Sequence, residues 1–143
     1  MLLSKEIAVN LNLAACKLKQ YCASMLKQKG IDLTPEQFLV IDLLWNNGPM
    51  SQQKMADTLG KDKNSVTKLV DALEVKKLIF RKQDSKDRRS NTLFLTPAAN
   101  ELKDGAKVAG ISILDTILEG IEESELRSFL KTLSHLTENM NVK

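Results

Sequence analysis

Aromatic residues, cysteine and histidine are all scarce in this chain of 143 residues. It holds one Trp, one Tyr, four Phe, two Cys and one His. Because aromatic side chains favour strands, their scarcity favours a mainly helical fold with an aliphatic core. Two cysteines cannot form a disulfide framework, and one His without clustered cysteines argues against structural zinc. We therefore expect neither a metal nor a cofactor.

Long apolar runs are also missing. No stretch approaches the roughly 18 apolar residues of a membrane span, and the N-terminal residues lack the charged leader and apolar segment of a signal peptide. We expect a cytoplasmic protein with no membrane partner. The chain also lacks a nucleophile–base pair at usable spacing and a Gly-rich phosphate loop, so we do not expect an enzyme.

Positive charge is concentrated in the middle of the chain, although the net charge is only +3. Residues 61–90 carry ten basic and five acidic side chains, whereas residues 96–143 carry five basic and eight acidic ones. A local basic band is what the neutralisation of nucleic-acid phosphates requires. A solvated, lysine-rich surface would produce the same count, so charge alone leaves both interpretations open.

Hydrophobic periodicity predicts the order helix, helix, helix, helix, strand, strand, helix, helix. The first helix, over about residues 4–29, has one apolar stripe through Ile7 and Leu18 and a second through Val9 and Leu13. A helix that is apolar on two sides is normally buried on two sides. In a chain this short, we expect a second subunit to cover one of them.

Capping signals mark where two of the later helices begin. Thr34 and Gln37 have the spacing of a capping box at the start of the second helix, and Thr96 precedes Pro97 at the start of the helix that follows the strands. That helix contains Gly105 and Gly110, which predict a bend or a close packing contact.

A helix-turn-helix is predicted from two short helices, residues 52–59 and 63–76, joined at Gly60. An inward apolar stripe through Val66 and Val70 turns the opposite face of the second helix outward. Outward residues near the start of that helix reach base edges in the major groove. Asn pairs with adenine and Lys donates to guanine, although an ordinary solvated helix face would hold the same residue types.

The two strands, residues 78–82 and 92–95, predict a hairpin wing with a basic loop. A protruding hairpin with Arg at its tip can enter a minor groove. Asp87 is close enough in sequence to Arg89 to orient its guanidinium.

The candidate DNA-binding residues lie at the start of the third helix, on the outward face of the fourth and on the wing. Ser51 at the start of the third helix could hold a phosphate, but the capping of its own helix would explain it equally well. The full set is Ser51, Gln52, Gln53, Lys63, Asn64, Ser65, Thr67, Lys68, Arg81, Lys86, Asp87, Arg88 and Arg89.

The most specific motif is the run 84–90, DSKDRRS, which Leu93, Leu95 and Thr96 follow. With this motif, residues 33–96 resemble the winged helix-turn-helix of the MarR (multiple antibiotic resistance regulator) family. The resemblance implies a mainly α fold with a small β-hairpin wing (α+β). It also implies one MarR-like domain over residues 1–143, with a winged lobe at 33–96 and a helical dimerisation region formed by 1–30 and 97–143.

The resemblance further implies a sequence-specific transcriptional regulator, in most members a repressor, that binds a pseudo-palindromic operator on double-stranded DNA as a homodimer. Many members respond to a small aromatic or anionic effector. It assigns the wing's Asp-x-Arg pair to Asp87 and Arg89, with Arg88 or Arg89 reaching the minor groove. Lys77 and Ala99 stand where the family commonly has Gly. If residue 77 takes a positive φ, Lys costs roughly 1 kcal/mol.

Two alternatives stay open from the sequence. A winged helix can serve as a protein-interaction module whose basic residues meet an acidic partner, and some MarR relatives sense oxidants through a cysteine. We interpret Cys16 and Cys22 as structural. Tyr21, Met25, Phe38 and Trp45 have the chemistry to line an effector pocket, but core packing explains them equally well.

Overall fold

The computed structural model describes residues 2–87 and 89–141. It consists of six helices and three short strands in this described part of the chain, confirming the predicted mainly helical fold. The elements are α1 (Leu3–Gln28), α2 (Pro35–Asn47), β1 (Met50–Ser51), α3 (Gln52–Leu59), α4 (Lys63–Val75), β2 (Ile79–Gln83), β3 (Asn91–Leu95), α5 (Pro97–Ile117) and α6 (Glu123–Asn139).

The wing sheet has three strands rather than the predicted two. The strand order is β1-β3-β2, and both pairs are antiparallel. Leu93 of the central strand β3 lies opposite Met50 of β1 on one side and opposite Arg81 of β2 on the other. Strand β1 was missed because two residues are too few to show an alternating pattern.

Side-chain caps hold the starts of the lobe helices, as the sequence predicted for α2. Thr34 Oγ1 accepts a hydrogen bond from the Gln37 backbone N–H, and Gln37 Oε1 accepts one from the Thr34 N–H, both at 3.1 Å. The analogous cap of α4 was not predicted: Asp62 Oδ1 accepts from the Ser65 N–H at 2.7 Å. Hydrogen bonds from the backbone and the side chain of Ser65 lower the pKa of Asp62.

The core of the lobe is aliphatic, as the low aromatic content predicted. Helices α2, α3 and α4 and the sheet contribute its fully buried side chains, which are Val40, Ile41, Met55, Val66, Val70, Leu73 and Leu93. Trp45 Nε1 donates a hydrogen bond to the Ala99 carbonyl at 3.2 Å, which joins α2 to the first turn of α5. Ala99 is itself fully buried.

The two glycines of α5 have different surroundings. A Cβ on Gly110 would lie 3.0 Å from Cζ of Phe38, whose ring packs edge-on against Trp45 at a centroid distance of 6.1 Å. The predicted close contact is therefore confirmed at Gly110. At Gly105, a Cβ would meet no heavy atom of the described residues within 4 Å.

Lys77 adopts the left-handed backbone conformation, with φ 62°. It is the one non-glycine residue in the described part of the chain with positive φ. The positive φ that a Gly would favour here is confirmed, and a Lys adopts it at a cost of roughly 1 kcal/mol.

The chain divides into two compact units, Met1–Gly110 and Ile111–Lys143. In the first, α1 has one buried residue, Leu26, while Leu3 and Leu13 are exposed. In the second, α6 exposes Phe129 and Leu130. Across residues 2–87 and 89–141, none of the helices is both long enough and apolar enough to span a membrane.

Candidate nucleic-acid interface

Helix α4 presents its polar face outward, as its periodicity predicted. Val66 and Val70 are fully buried in the lobe core, and Asn64 and Lys68 on the opposite side are exposed. Lys63 in the first turn is exposed as well. The N-terminal half of this helix therefore exposes an amide and two amines on one surface of the lobe.

Thr67 lies at the edge of this face and is half-buried against α3. Its Oγ1 accepts a hydrogen bond from Gln52 Nε2 at 2.7 Å and donates one to the Lys63 carbonyl at 2.9 Å. The hydroxyl is thus occupied within the protein, which leaves the methyl group as the part of Thr67 with chemistry suited to a thymine.

The start of α3 is held by its own cap. Ser51 Oγ accepts from the Lys54 N–H at 3.0 Å, so the capping explanation of this serine is confirmed. Gln53 is exposed, and its Nε2 donates to Asp57 Oδ1 at 3.0 Å. Ser65, in the first turn of α4, contributes its backbone N–H to the Asp62 cap.

Two aspartates shape the loop at the end of the wing. Asp84 Oδ1 accepts from the Lys86 backbone N–H at 2.9 Å, and Asp87 Oδ1 accepts from the Arg89 backbone N–H at 3.0 Å. The sequence led us to expect Asp87 to orient the Arg89 guanidinium, whereas its described hydrogen bond is to the backbone. Lys86 and Arg89 are exposed. Arg88 lies outside the described residues.

Arg81 differs from Lys82, Lys86 and Arg89, which are exposed, because its side chain is only 21% exposed. Its guanidinium contacts the carboxylates of Asp71 and Glu74, both on α4. It also donates to Gln52 Oε1 at 3.2 Å. Arg81 is one of the residues predicted from sequence to bind DNA, and its side chain points toward α3 and α4.

An ion-pair cluster joins α1 to the helix-turn-helix. Glu36, in the first turn of α2, pairs with Lys19 of α1 and, at 2.8 Å, with Lys61 of the turn between α3 and α4. Hydrogen bonds from the two lysines lower the Glu36 pKa from 4.5 to about 2. The carboxylate is therefore charged at neutral pH and holds both cations in place.

An open cavity of about 410 Å³ lies between the end of α1 and the loop before α2. The residues suggested from sequence as effector contacts, Tyr21, Met25, Phe38 and Trp45, do not line it; Phe38 and Trp45 pack together in the lobe instead. Its walls mix apolar side chains with two lysines, and are formed by Ala23, Lys27, Gly30, Ile31, Asp32, Leu33, Thr34 and Lys76.

The two cysteines are free and differ in exposure. Cys16 is exposed, whereas Cys22 is half-buried and burial raises the pKa of its thiol. Within the described residues, no group of three or more His, Cys, Asp or Glu side chains is placed to hold a metal ion.

Comparison with known proteins identifies the family. A model described as the MarR family matches residues 33–90. The organic hydroperoxide resistance transcriptional regulator of Bacillus subtilis (strain 168) is 32% identical over 108 residues, which cover 72% of this chain and 71% of that protein. The chain belongs to the MarR family.

Solved structures of two protein–DNA complexes share this fold. The transcriptional repressor CouR, bound to a 23-mer DNA duplex, is 27% identical with a TM-score of 0.82, and the match covers 94% of each chain. The S. aureus MepR–DNA complex has a TM-score of 0.84 at 23% identity and covers 93% of this chain and 97% of that one. This MarR protein is a DNA-binding transcriptional regulator, as its relatives are, rather than an enzyme.

Proposed function

We propose that this MarR protein is a homodimeric repressor that reads a pseudo-palindromic operator. Helix α4 enters the major groove, and the wing reaches the adjacent minor groove. The observation that carries the proposal is that Asn64 and Lys68 are exposed on one lobe whose wing also exposes Lys86 and Arg89. Such a pairing of a polar helix face with a basic hairpin suits the two grooves of one half-site.

The exposed apolar residues outside the lobe core support the dimer. Leu13 on α1, Val108 on α5 and Phe129 on α6 are each more than half exposed. Apolar surface left in water costs about 25 cal/mol per Å² relative to burial. A second copy that covers these helices would recover that free energy and would set two lobes side by side, as a two-fold operator requires.

The operator is tested by gel shift with fragments from upstream of the protein's own gene and with random DNA of equal length. We expect one fragment to bind at least 10³-fold more tightly than random DNA. The logarithm of the affinity should fall steeply with the logarithm of salt, since phosphate contacts release counterions. If no fragment is preferred over random DNA, the operator proposal is wrong, and a pull-down that survives nuclease would favour the protein-interaction alternative.

The DNA-contacting residues are tested by single variants on the selected duplex. If Lys68 contacts a phosphate, Lys68→Ala should reduce the salt slope, which is the slope of log affinity against log salt concentration, by about 0.9. If Lys68 contacts a base, the variant should relax selectivity at one base pair. Removing Arg88 and Arg89 together should weaken binding about tenfold or more. Lys131→Ala, on exposed α6, is the matched control and should leave both quantities unchanged.

The release of DNA by a small aromatic anion is part of the same proposal. Support comes from the open 410 Å³ cavity, whose volume suits a small ligand and whose walls carry apolar side chains beside Lys27 and the paired Lys76 and Asp32. Benzoate should weaken operator binding in the wild type and have less effect on Lys27→Ala, whereas acetate should do nothing. An equal response of the two proteins to benzoate contradicts this site.

An oxidant is the second candidate signal, because Cys16 is exposed and one relative is named for organic hydroperoxide resistance. Treatment with cumene hydroperoxide should then weaken operator binding in the wild type but not in Cys16→Ser. Loss of binding in both proteins, or in neither, removes this candidate.

A further inference from the structure

The strand register turns Arg81 away from the outer surface of the wing. Residues directly opposite each other across neighbouring strands share a face of the sheet. Arg81 lies opposite Leu93, which lies opposite Met50, and both of these are buried. Phe80 and Phe94 point to the other face, where their rings stack at 5.2 Å. The Arg81 side chain therefore leaves the sheet on the side of α3 and α4.

On that side, Arg81 contacts both helices of the helix-turn-helix. Its Nη2 lies 2.7 Å from Asp71 Oδ1 and donates to the Thr67 carbonyl at 3.3 Å, and its Nη1 donates to Glu74. Its Nε donates to the Gln52 side chain of α3. One guanidinium thus joins a wing strand to three residues of the recognition helix α4 and to the first residue of α3.

These contacts continue to the surface proposed to face the bases. Arg81 occupies Gln52 Oε1, which fixes the orientation of the amide so that Nε2 donates to Thr67 Oγ1 at 2.7 Å. Thr67 lies one residue from Lys68. A chain of hydrogen bonds that begins at Arg81 therefore ends at Thr67, at the edge of the polar face of α4.

The same contacts offset part of the negative charge of α4, because one guanidinium pairs with two carboxylates. Asp71 and Glu74 lie on the helix that carries Asn64 and Lys68, and an unpaired carboxylate there would repel DNA phosphates. Arg81 pairs with both, and its five donors make such a shared arrangement possible, whereas a lysine amine lacks the planar fork.

We propose that Arg81 is a positioning residue for DNA recognition rather than a DNA contact. It fixes the wing against α3 and α4, orients Gln52 and Thr67, and masks part of the charge of two carboxylates. This inference rests on the proposed function, in that α4 and the wing bind DNA, and it removes Arg81 from the residues proposed to touch the duplex.

The DNA experiment compares Arg81→Met and Arg81→Lys with Lys68→Ala on the selected duplex. Both Arg81 variants should lose affinity about tenfold, with salt slopes within about 0.3 of wild type, because no phosphate contact is lost. If Arg81 contacted a phosphate only as a point charge, Lys could replace it with little loss of affinity. Retained affinity in Arg81→Lys, or a slope reduced by about 0.9 in Arg81→Met, overturns the proposal.

A second DNA-binding experiment tests whether Arg81 acts by pairing with the carboxylates of Asp71 and Glu74. In a protein that already carries Asp71→Asn and Glu74→Gln, Arg81→Met should cost at least about threefold less affinity than in the wild type, because no charge is left to mask. An equal loss in the two backgrounds contradicts the masking role.

An unfolding experiment tests Arg81 without DNA, so its result does not depend on the operator. Arg81→Met and Glu74→Gln, alone and together, form a double-mutant cycle in urea. The unfolding constants should be non-additive by about threefold or more, because the two residues contact each other. Additivity overturns the inference even if an operator is found. If no duplex is preferred over random DNA but the two substitutions are non-additive, the proposed function is wrong and the contact between Arg81 and Glu74 is still supported.

If Arg81→Met does not fold, Gln52→Ala provides the same comparison. It removes the amide that transmits the Arg81 contact to Thr67 and leaves both carboxylates paired. Its affinity for the selected duplex should fall about threefold or more at an unchanged salt slope. An affinity equal to that of the wild type overturns the positioning chain.

Discussion

Helices α4 and α6 carry the same kind of apolar stripe but differ in what covers it. In α4, Val66, Val70 and Leu73 are fully buried by their own lobe. In α6, Phe129 is 61% and Leu130 is 63% exposed, and the helix contains no buried residue. Periodicity therefore indicates where a helix is apolar, and it does not indicate whether its own chain buries that face.

The largest effect is expected where the cover is internal. Leu73→Ala should lower the free energy of unfolding by about 2–5 kcal/mol, because it leaves a cavity in a packed core. Val75→Ala, on the same helix but 82% exposed, should change it by less than about 0.5 kcal/mol. Urea unfolding at one fixed protein concentration measures both, and similar losses would show that the two faces of α4 are not distinct.

The matching experiment on α6 concerns assembly. Leu130→Glu should raise the dimer dissociation constant about tenfold or more, since a carboxylate buried without a partner is costly. Sedimentation equilibrium measures the change, with His135→Glu on the opposite, exposed side of the helix as control. A dimer that is indifferent to Leu130→Glu would mean that the apolar face of α6 is not an interface.

A smaller effect separates the two glycines of α5. Gly105→Ala should stabilise the protein by about 0.5–1 kcal/mol, because Ala restricts the unfolded chain and favours the helix. At Gly110 the added Cβ would lie 3.0 Å from the Phe38 ring, so overpacking should cancel or reverse that gain. Thermal unfolding measures the stability of the two variants, and equal gains in stability would contradict the close contact at Gly110.

The smallest effect is expected at the ion pairs that join α1 to the lobe. The Glu36 pKa is lowered from 4.5 to about 2, so its contribution to stability is complete above pH 4.5 and is lost as pH falls towards 2. The Tm difference between wild type and Glu36→Gln should therefore shrink over that interval. A difference that stays constant from pH 6 to 2 would show that the pairs with Lys19 and Lys61 do not stabilise the fold.

The helices of the lobe could be predicted from sequence because their signals are local. Thr34 and Gln37 form the predicted capping box, and α3 has the predicted bounds. Gly60 ends α3 in the left-handed conformation. Each of these depends on residues within one turn of helix, where a short side chain meets a nearby backbone group.

The direction of Arg81 depends on a long-range arrangement, although one local signal was available. A period of two places Arg81 on the same face as buried Ile79, which already indicates an inward side chain. Its partners Gln52, Asp71 and Glu74 could not be predicted, because strand pairing brings α3 and α4 to it across as many as 29 positions of sequence. Lys76 of the cavity wall could not be predicted either, because it meets Asp32 across 44 positions of sequence.

Strand β1 has a consequence for the spacing of the operator. Met50 pairs with Leu93 of the wing, and Gln52 begins α3 immediately afterwards, so the hairpin and the first helix of the helix-turn-helix are attached to one sheet. If α4 and the wing bind DNA as proposed, the shared sheet fixes the distance between their two points of entry into the duplex. A single base pair inserted between them shifts the second by roughly 3.4 Å, so such an operator should keep one groove contact and lose the other.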